Sequence, residues 1–252
     1  MSTYLGPPYK TPPIEEAIVE FRFVPTEWNP ELVERFYQHE NIRSFYVGLR
    51  KMMQVQNTNI RINPEKQPEV SQQNEIPRLM LLDQDGTRLL TIGHDVLSVN
   101  SQRPYEGFEE RFKERIESAL RAHSEVAGSC RVIRIGVRYI NKIVLTGENK
   151  DRAAHFTFRP FEPSIPGFSL QSFLERVLLT SEDKTQMLVT HVPVAGESLP
   201  TFLLDIDVFK SFQGSPLDLE AAISETVTLH DQEKQVFEAM INDEARRLFH
   251  GA

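Results

Sequence analysis

The chain reads as an α+β protein, an extended and curved antiparallel sheet with helices packed on one of its faces. Three observations predict it. Over residues 131–145, Ile133, Ile135, Val137, Tyr139 and Ile143 share one parity while Arg134, Arg138 and Lys142 share the other. That is the period of a long strand with an apolar face and a cationic face. Short β-rich runs at 78–82, 88–92 and 96–100 are separated by Asp83-Gln-Asp-Gly86 and Gly93-His-Asp95, and Asp-Gly between such runs signals a hairpin. Two other stretches carry their apolar residues at helical spacing, one before the long strand and one at the C-terminus.

From the N-terminus, residues 4–13 form an extended lead-in, because Pro7, Pro8, Pro12 and Pro13 fix φ and disfavour helix before them. A strand follows over 16–24, with Ala17, Val19, Phe21 and Phe23 on one face and Glu20 and Arg22 on the other. Asn29 and Pro30 start a helix, a side-chain oxygen at the cap and proline in the first turn. It runs to about Glu40 and buries Leu32, Val33 and Phe36. Residues 45–53 are apolar and fit helix or strand. Residues 57–77 are polar, carry three prolines and read as an exposed loop.

After the meander, Phe108, Phe112, Ile116, Ala119 and Leu120 form the apolar stripe of a helix over 105–123. Beyond the long strand, 146–154 make a charged loop and 159–167 are punctuated by prolines. Residues 170–180 fit helix or strand, and the hairpin loop at 181–184 leading into a strand over 186–194 favours strand. Phe202, Leu204, Ile206 and Val208 share one side of a strand over 200–209. Ser215 and Pro216 open a helical region that reaches Phe249 with a break near Asn242 and Asp243. Each half thus ends its strands with a helix, so a single α+β domain over 1–252 admits two similar halves, 14–125 and 130–250.

Composition narrows the function. The formal charge of -8 argues against a general nucleic-acid binder, because phosphate attraction needs a basic surface. Cys130 is the single cysteine, which excludes an intramolecular disulfide and a cysteine-based zinc site, and its place before an apolar strand points to burial. No basic stretch leads into an apolar run at the N-terminus, and no segment approaches the roughly 20 apolar residues of a membrane span. The cytosol is the expected compartment.

The leading candidate site is a charged sheet face. Glu20 and Arg22 on the first strand, Arg134, Arg138 and Lys142 on the long strand, and Asp205 and Asp207 on the strand over 200–209 all oppose apolar parities. On neighbouring strands they would line one surface, where carboxylates suit a divalent cation and guanidiniums suit a phosphate or an acidic peptide. The same pattern also describes a solvated face of cross-strand ion pairs worth about 0.2–1 kcal/mol each. The histidines lack the two-histidine helical spacing of a metal site and read as surface or capping residues. His230 and Asp231 are adjacent on a helix and point apart, which disfavours a catalytic pair. Glu182, Asp183 and Lys184 have the Glu-x-Lys form of metal-dependent nucleases but fall in a turn. There is no glycine-rich phosphate loop and no GxSxG elbow. Tyr4, Tyr9 and Trp28 flank prolines and are read as packing the arm onto the body.

Four stretches carry a resemblance together: Pro12-Pro-Ile-Glu-Glu-Ala-Ile-Val-Glu-Phe-Arg-Phe23, Asn100-Ser-Gln-Arg-Pro-Tyr-Glu-Gly-Phe108, Ile135-Gly-Val-Arg-Tyr-Ile-Asn-Lys-Ile143, and Leu229-His-Asp231 followed by Val236-Phe-Glu-Ala-Met-Ile241. In the same order they resemble an uncharacterised prokaryotic family of similar length, sporadically distributed among bacteria and archaea. Phe108 stands where that family usually has tryptophan. The patchy distribution implies an accessory role in conflict systems, and the resemblance implies no catalytic residues.

The expected function is therefore non-enzymatic: a protein- or peptide-binding accessory protein, an antitoxin, chaperone-like or regulatory component of a bacterial defence system. It would need no cofactor, would take a protein partner, and would form any homo-oligomer through its C-terminal helical region. The alternative is an enzyme or sensor for a phosphate-rich small molecule, using the charged sheet face. That face resembles the strands of triphosphate-tunnel enzymes, although the opening strand offers only Glu20-Phe-Arg22 in place of their denser Glu-x-Glu-x-Lys.

Overall fold

The computed structural model describes residues 9–25, 29–53, 56–61, 69–74, 78–146, 148–158, 166–167 and 172–250. In chain order the elements are β1 (Ile14–Phe23), α1 (Pro30–Gln38), α2 (Glu40–Arg43), β2 (Arg50–Met53), β3 (Gln56–Arg61), β4 (Glu69–Asn74), β5 (Arg78–Leu82), β6 (Arg88–Ile92) and β7 (Val96–Gln102). They continue with α3 (Lys113–Ala127), β8 (Val132–Val144), α4 (Arg152–His155), β9 (Glu175–Thr180), β10 (Gln186–Pro193), β11 (Thr201–Ser211), α5 (Leu219–Met240) and α6 (Asp243–His250). Nine strands form one open antiparallel sheet in the order β2-β5-β6-β7-β1-β8-β11-β10-β9, and β3 pairs with β4 in a separate two-stranded sheet. The fold is α+β.

Connectivity repeats around the central β1–β8 pair. Each of these strands leads into an excursion, then a three-stranded meander that returns inward, so β7 pairs with β1 and β11 with β8. A long helix closes each run: α3 packs on β7, α5 on β8 and β11, and the two helices touch. The parity of the strands explains why. Ala17, Val19, Phe21 and Phe23, then Ile135, Val137, Tyr139 and Ile143, then Phe202, Leu204, Ile206 and Val208 all point to the helix side and are buried. Ile116, Ala119 and Leu120 from α3 and Ala222, Leu229 and Phe237 from α5 meet them there. Burying a large aliphatic or aromatic side chain stabilises by roughly 1.5–3 kcal/mol, so the stripes hold helix to sheet. The other face of the central strands carries the charges.

Local structure departs from expectation where local cues compete. Ile133 is not a core residue: Arg22 pairs with Arg134 but Phe23 pairs with Val132, so Ile133 is the extra residue of a bulge and Val132 is buried instead. Residues 57–77 are not simply a loop, since β3 and β4 pair as a two-stranded antiparallel ribbon; residues 62–68 and 75–77 lie outside the described residues. The ambiguous 45–53 stretch ends as β2 on the sheet edge, paired with β5. The stripe begun at Phe108 opens with a π-type turn, Phe108–Phe112, before α3, which runs on to Gly128, a left-handed cap at φ 72°. The C-terminal helix begins after Asp218, whose side chain accepts from the Ala221 amide, because Leu217 is held in a bridge to Val132. Of the 170–180 strand, Glu175–Thr180 is observed; the proline-punctuated 159–165 lies outside the described residues, as do Tyr4 and Trp28. Among the described residues no helix is long and apolar enough to cross a membrane.

Candidate functional site

Register brings six of the seven predicted residues together on the open face. Arg22 lies opposite Arg134, Arg138 opposite Asp207, and Asp205 is two residues along β11. Arg22 donates from Nε to Glu20 at 2.9 Å and from Nη1 to Asp95 at 3.3 Å. Arg134 donates to the same Glu20 at 3.2 Å and lies over the Phe209 ring at 4.5 Å. Arg138 grips Asp205 with two bonds, 2.8 Å and 2.6 Å. Lys142 is drawn aside by Glu197 at 2.8 Å and does not join them. Asp207 sits between the two arginines, yet burial outweighs their attraction and raises its pKa. Gly136 floors the small cleft, about 200 Å³, between Glu20, Arg134, Arg138 and Asp207. A Cβ there would stand 3.2 Å from Arg134 Nη1, so glycine lets the guanidinium lie flat on the strand. Arg22, Arg134 and Arg138 are each engaged by a carboxylate. An incoming phosphate would have to displace Glu20 or Asp205, so the arrangement is a closed ion-pair lattice more than an anion cradle.

The helix side holds a groove of about 490 Å³, a size suited to a small ligand. Its floor is Tyr139 and Asn141 of β8; α5 supplies His230, Glu233 and Phe237; the β7–α3 connection supplies Tyr105 and Phe108; the lead-in closes one end with Tyr9. Tyr105 and Tyr139 share a hydroxyl hydrogen bond of 2.9 Å, and Tyr139 reaches His230 Nδ1 at 3.1 Å. His230 stacks on Phe108 with centroids 3.8 Å apart. Tyr9 donates to Glu238 at 2.6 Å, and Arg246 holds the other oxygen of that carboxylate at 3.0 Å. Burial, helped by Lys234, lowers His230 to about 4, and burial raises the phenols of Tyr105 and Tyr139. Glu233 is only 4% exposed, and its Oε1 has no hydrogen-bond partner among the described residues. Burial, and then the like charge of Glu238, hold its pKa well above the usual carboxylate range.

The sequence carried one signal for this groove: Glu233 stands on the stripe Thr226, Leu229, Glu233, Phe237, where an apolar residue is expected. His230, set aside as half of an improbable pair with Asp231, belongs to the groove through Tyr139. The surface-or-capping reading holds for His39, whose Nδ1 accepts from the Asn41 amide at the start of α2. It fails for His123, His155 and His191, which are buried. His123 stacks on Phe23 at 4.0 Å and His191 sits among phenylalanines, so these imidazoles pack as flat aromatic groups. A second cleft of about 500 Å³ is lined by Arg88, Arg111 and Arg115. Arg88 there is bound to the carbonyls of Gln102 at 2.7 Å and Pro104 at 2.8 Å, a structural clamp on the chain leaving β7.

The sheet ends at β9. Leu174, Val177, Leu178 and Leu179 are 69%, 50%, 56% and 52% exposed, and among the described residues no strand pairs with the outer edge of β9. Val177 and Leu179 lie opposite Val189 and Met187 on the helix side, while Leu178 lies opposite Leu188 on the open side. No model of a known protein family matches the chain, and no curated protein matches it.

Proposed function

We propose that the protein is a non-enzymatic binding module whose protein partner docks along β9, acting as an antitoxin, chaperone-like or regulatory component. The observation that carries this reading is the edge itself: among the described residues the outer side of β9 has no partner strand, and Val177, Leu178 and Leu179, with Leu174 just before them, hold large aliphatic side chains in water. Natural sheets shield such edges with charge, proline or a covering element, because an open one recruits another strand. Here Glu175 and Arg176 guard only the first residues, and Val177, Leu178 and Leu179 that follow are aliphatic. A partner strand added antiparallel to β9 would take its register from backbone hydrogen bonds and its affinity from covering both faces of the edge. Full burial of such side chains is worth roughly 1.5–3 kcal/mol each. Covering the half still exposed contributes about 1 kcal/mol apiece, enough with the backbone bonds for a specific complex.

The C-terminal helices support this location by their own packing. Ala222, Leu229, Phe237 and Phe249 are buried, with α5 on the sheet and α6 against α4, so their apolar sides are already covered. The open-face arginines are engaged by carboxylates, which favours the binding module over the phosphate-directed alternative.

The test is co-expression of the tagged chain with the products of its neighbouring genes, with complexes sized by light scattering. A stoichiometric complex is expected with one of them, and Leu178→Lys combined with Leu179→Lys should weaken it at least about a hundredfold. The substituted positions are exposed, so the variant keeps its fold. A complex indifferent to that substitution, or none with any neighbour, counts against the proposal.

A further inference from the structure

The groove beneath α5 has a chemistry that the edge does not explain. We infer that it binds an organic cation, an ammonium group carried on an aliphatic or aromatic body, with Glu233 as its counter-charge.

The argument starts from the cost of an isolated carboxyl. A buried carboxyl without a partner is destabilising, and an apolar residue on that stripe would pack without the penalty. Glu233 lies between Leu229 and Phe237 on α5, is almost wholly buried, lines the groove, and has an oxygen with no hydrogen-bond partner among the described residues. Three of the other carboxylates at the groove have cations of their own, and Glu110 stands at its rim. Glu238 is held by Arg246 at 3.0 Å, Glu106 faces Arg88 at 3.4 Å, and Glu109 pairs with Lys113 at 3.3 Å. Lys10 and Lys234 also line the groove, but among the described residues no salt bridge joins either to Glu233. Its carboxyl, kept neutral by burial, gives up its proton to solvent when an ammonium enters to pair with it.

The walls suit one. Tyr105, Phe108, Tyr139 and Phe237 present aromatic surface, whose negative faces attract a desolvated cation. Asn141 and the Tyr105–Tyr139 hydroxyl pair offer neutral oxygen acceptors at the floor. An anionic ligand would meet Glu233 and Glu238 together, and a purely apolar one would leave the carboxyl unanswered. The same ammonium chemistry could arrive on a free amine or on a lysine side chain of a peptide, and the probes below separate these sources.

The test is calorimetric titration of the full chain at pH 7.5 with 1,6-diaminohexane, phenethylamine and Nα-acetyl-lysine amide, against 1-hexanol and hexanoate as neutral and anionic counterparts. The amines are expected to bind at least about tenfold more tightly than hexanol, and hexanoate more weakly still. A free-amine ligand would favour the first two probes, and a peptide lysine the third. Glu233→Gln, which keeps shape and removes the charge, is expected to abolish the preference for amines while the unfolding midpoint stays at or above that of wild type. Hexanol bound as tightly as the amines, hexanoate bound more tightly, no amine bound at all, or a folded Glu233→Gln with its preference intact would each overturn the inference. The comparison on the unmodified chain decides even if the variant folds poorly. Leu178→Lys should leave amine binding unchanged, so the groove and the edge fail or stand separately.

Discussion

Replacing His191 with leucine should remove a defined share of the protein's sensitivity to acid. The imidazole is 1% exposed, in a nest of Phe156, Phe158, Phe173 and Phe202 with ring centroids 4.8, 4.5, 5.1 and 5.4 Å away. Burial, with a smaller push from Arg152, lowers its pKa from 6.5 to about 4. A depressed folded value means that the unfolded chain takes the proton first as pH falls. The stability tied to neutral His191 is therefore complete above about pH 6.5 and is lost progressively down to about pH 4. At about 1.4 kcal/mol per pKa unit, the full loss is about 3 kcal/mol. His123 and His230, also lowered to about 4 by burial, add to the acid sensitivity of the wild type, so the variant keeps part of it. Urea unfolding at pH 7 and pH 4.5 gives the needed double difference, in which any cavity cost of leucine cancels. Between those conditions the wild type should lose about 2–3 kcal/mol more than His191→Leu. Equal losses would refute the argument that this imidazole is held neutral by its surroundings.

Two smaller effects follow from the same structure. Arg138→Met strands Asp205 beside Asp207; since the arginine side chain is 42% exposed, the loss should be only about 1 kcal/mol at low salt. It should shrink in 1 M salt and be largely restored by adding Asp205→Asn, as thermal unfolding will show. Burial and then Asp218 push the Cys130 thiol up to about 11, so native protein should react with iodoacetamide at pH 8 about a hundredfold more slowly than a free thiol, recovering in urea. Equal rates in native and unfolded protein would contradict that placement.

How much of this was legible depends on whether one face of an element is buried. In β11 the alternation of Phe202, Leu204, Ile206 and Val208 against Asp205 and Asp207 states both faces outright, and the structure follows it. Asp83-Gln-Asp-Gly86 names its own turn, with Gly86 at φ 72°. The β3–β4 ribbon has only Ile60 and Val70 among its polar residues and so leaves no period-2 signal. The bulge at Ile133 is invisible because Val132 and Ile133 are equally apolar, and only pairing with β1 decides between them. The charged face was readable as a set of residues but not as a set of partners. That Arg138 takes Asp205 diagonally, and that Glu197 captures Lys142, depends on strands brought together over more than fifty positions. The groove assembles from four distant segments, and only the misplaced charge of Glu233 announced it.

Amide hydrogen exchange across the sheet, with and without the partner, addresses the binding edge most directly. In the free protein the β9 amides should exchange orders of magnitude faster than those of β8, which is paired on both sides. On complex formation, protection should appear in Glu175–Thr180 and leave β1 and β8 unchanged. A β9 already as slow as β8 in the free chain, or one that stays fast when the partner is bound, would contradict the account.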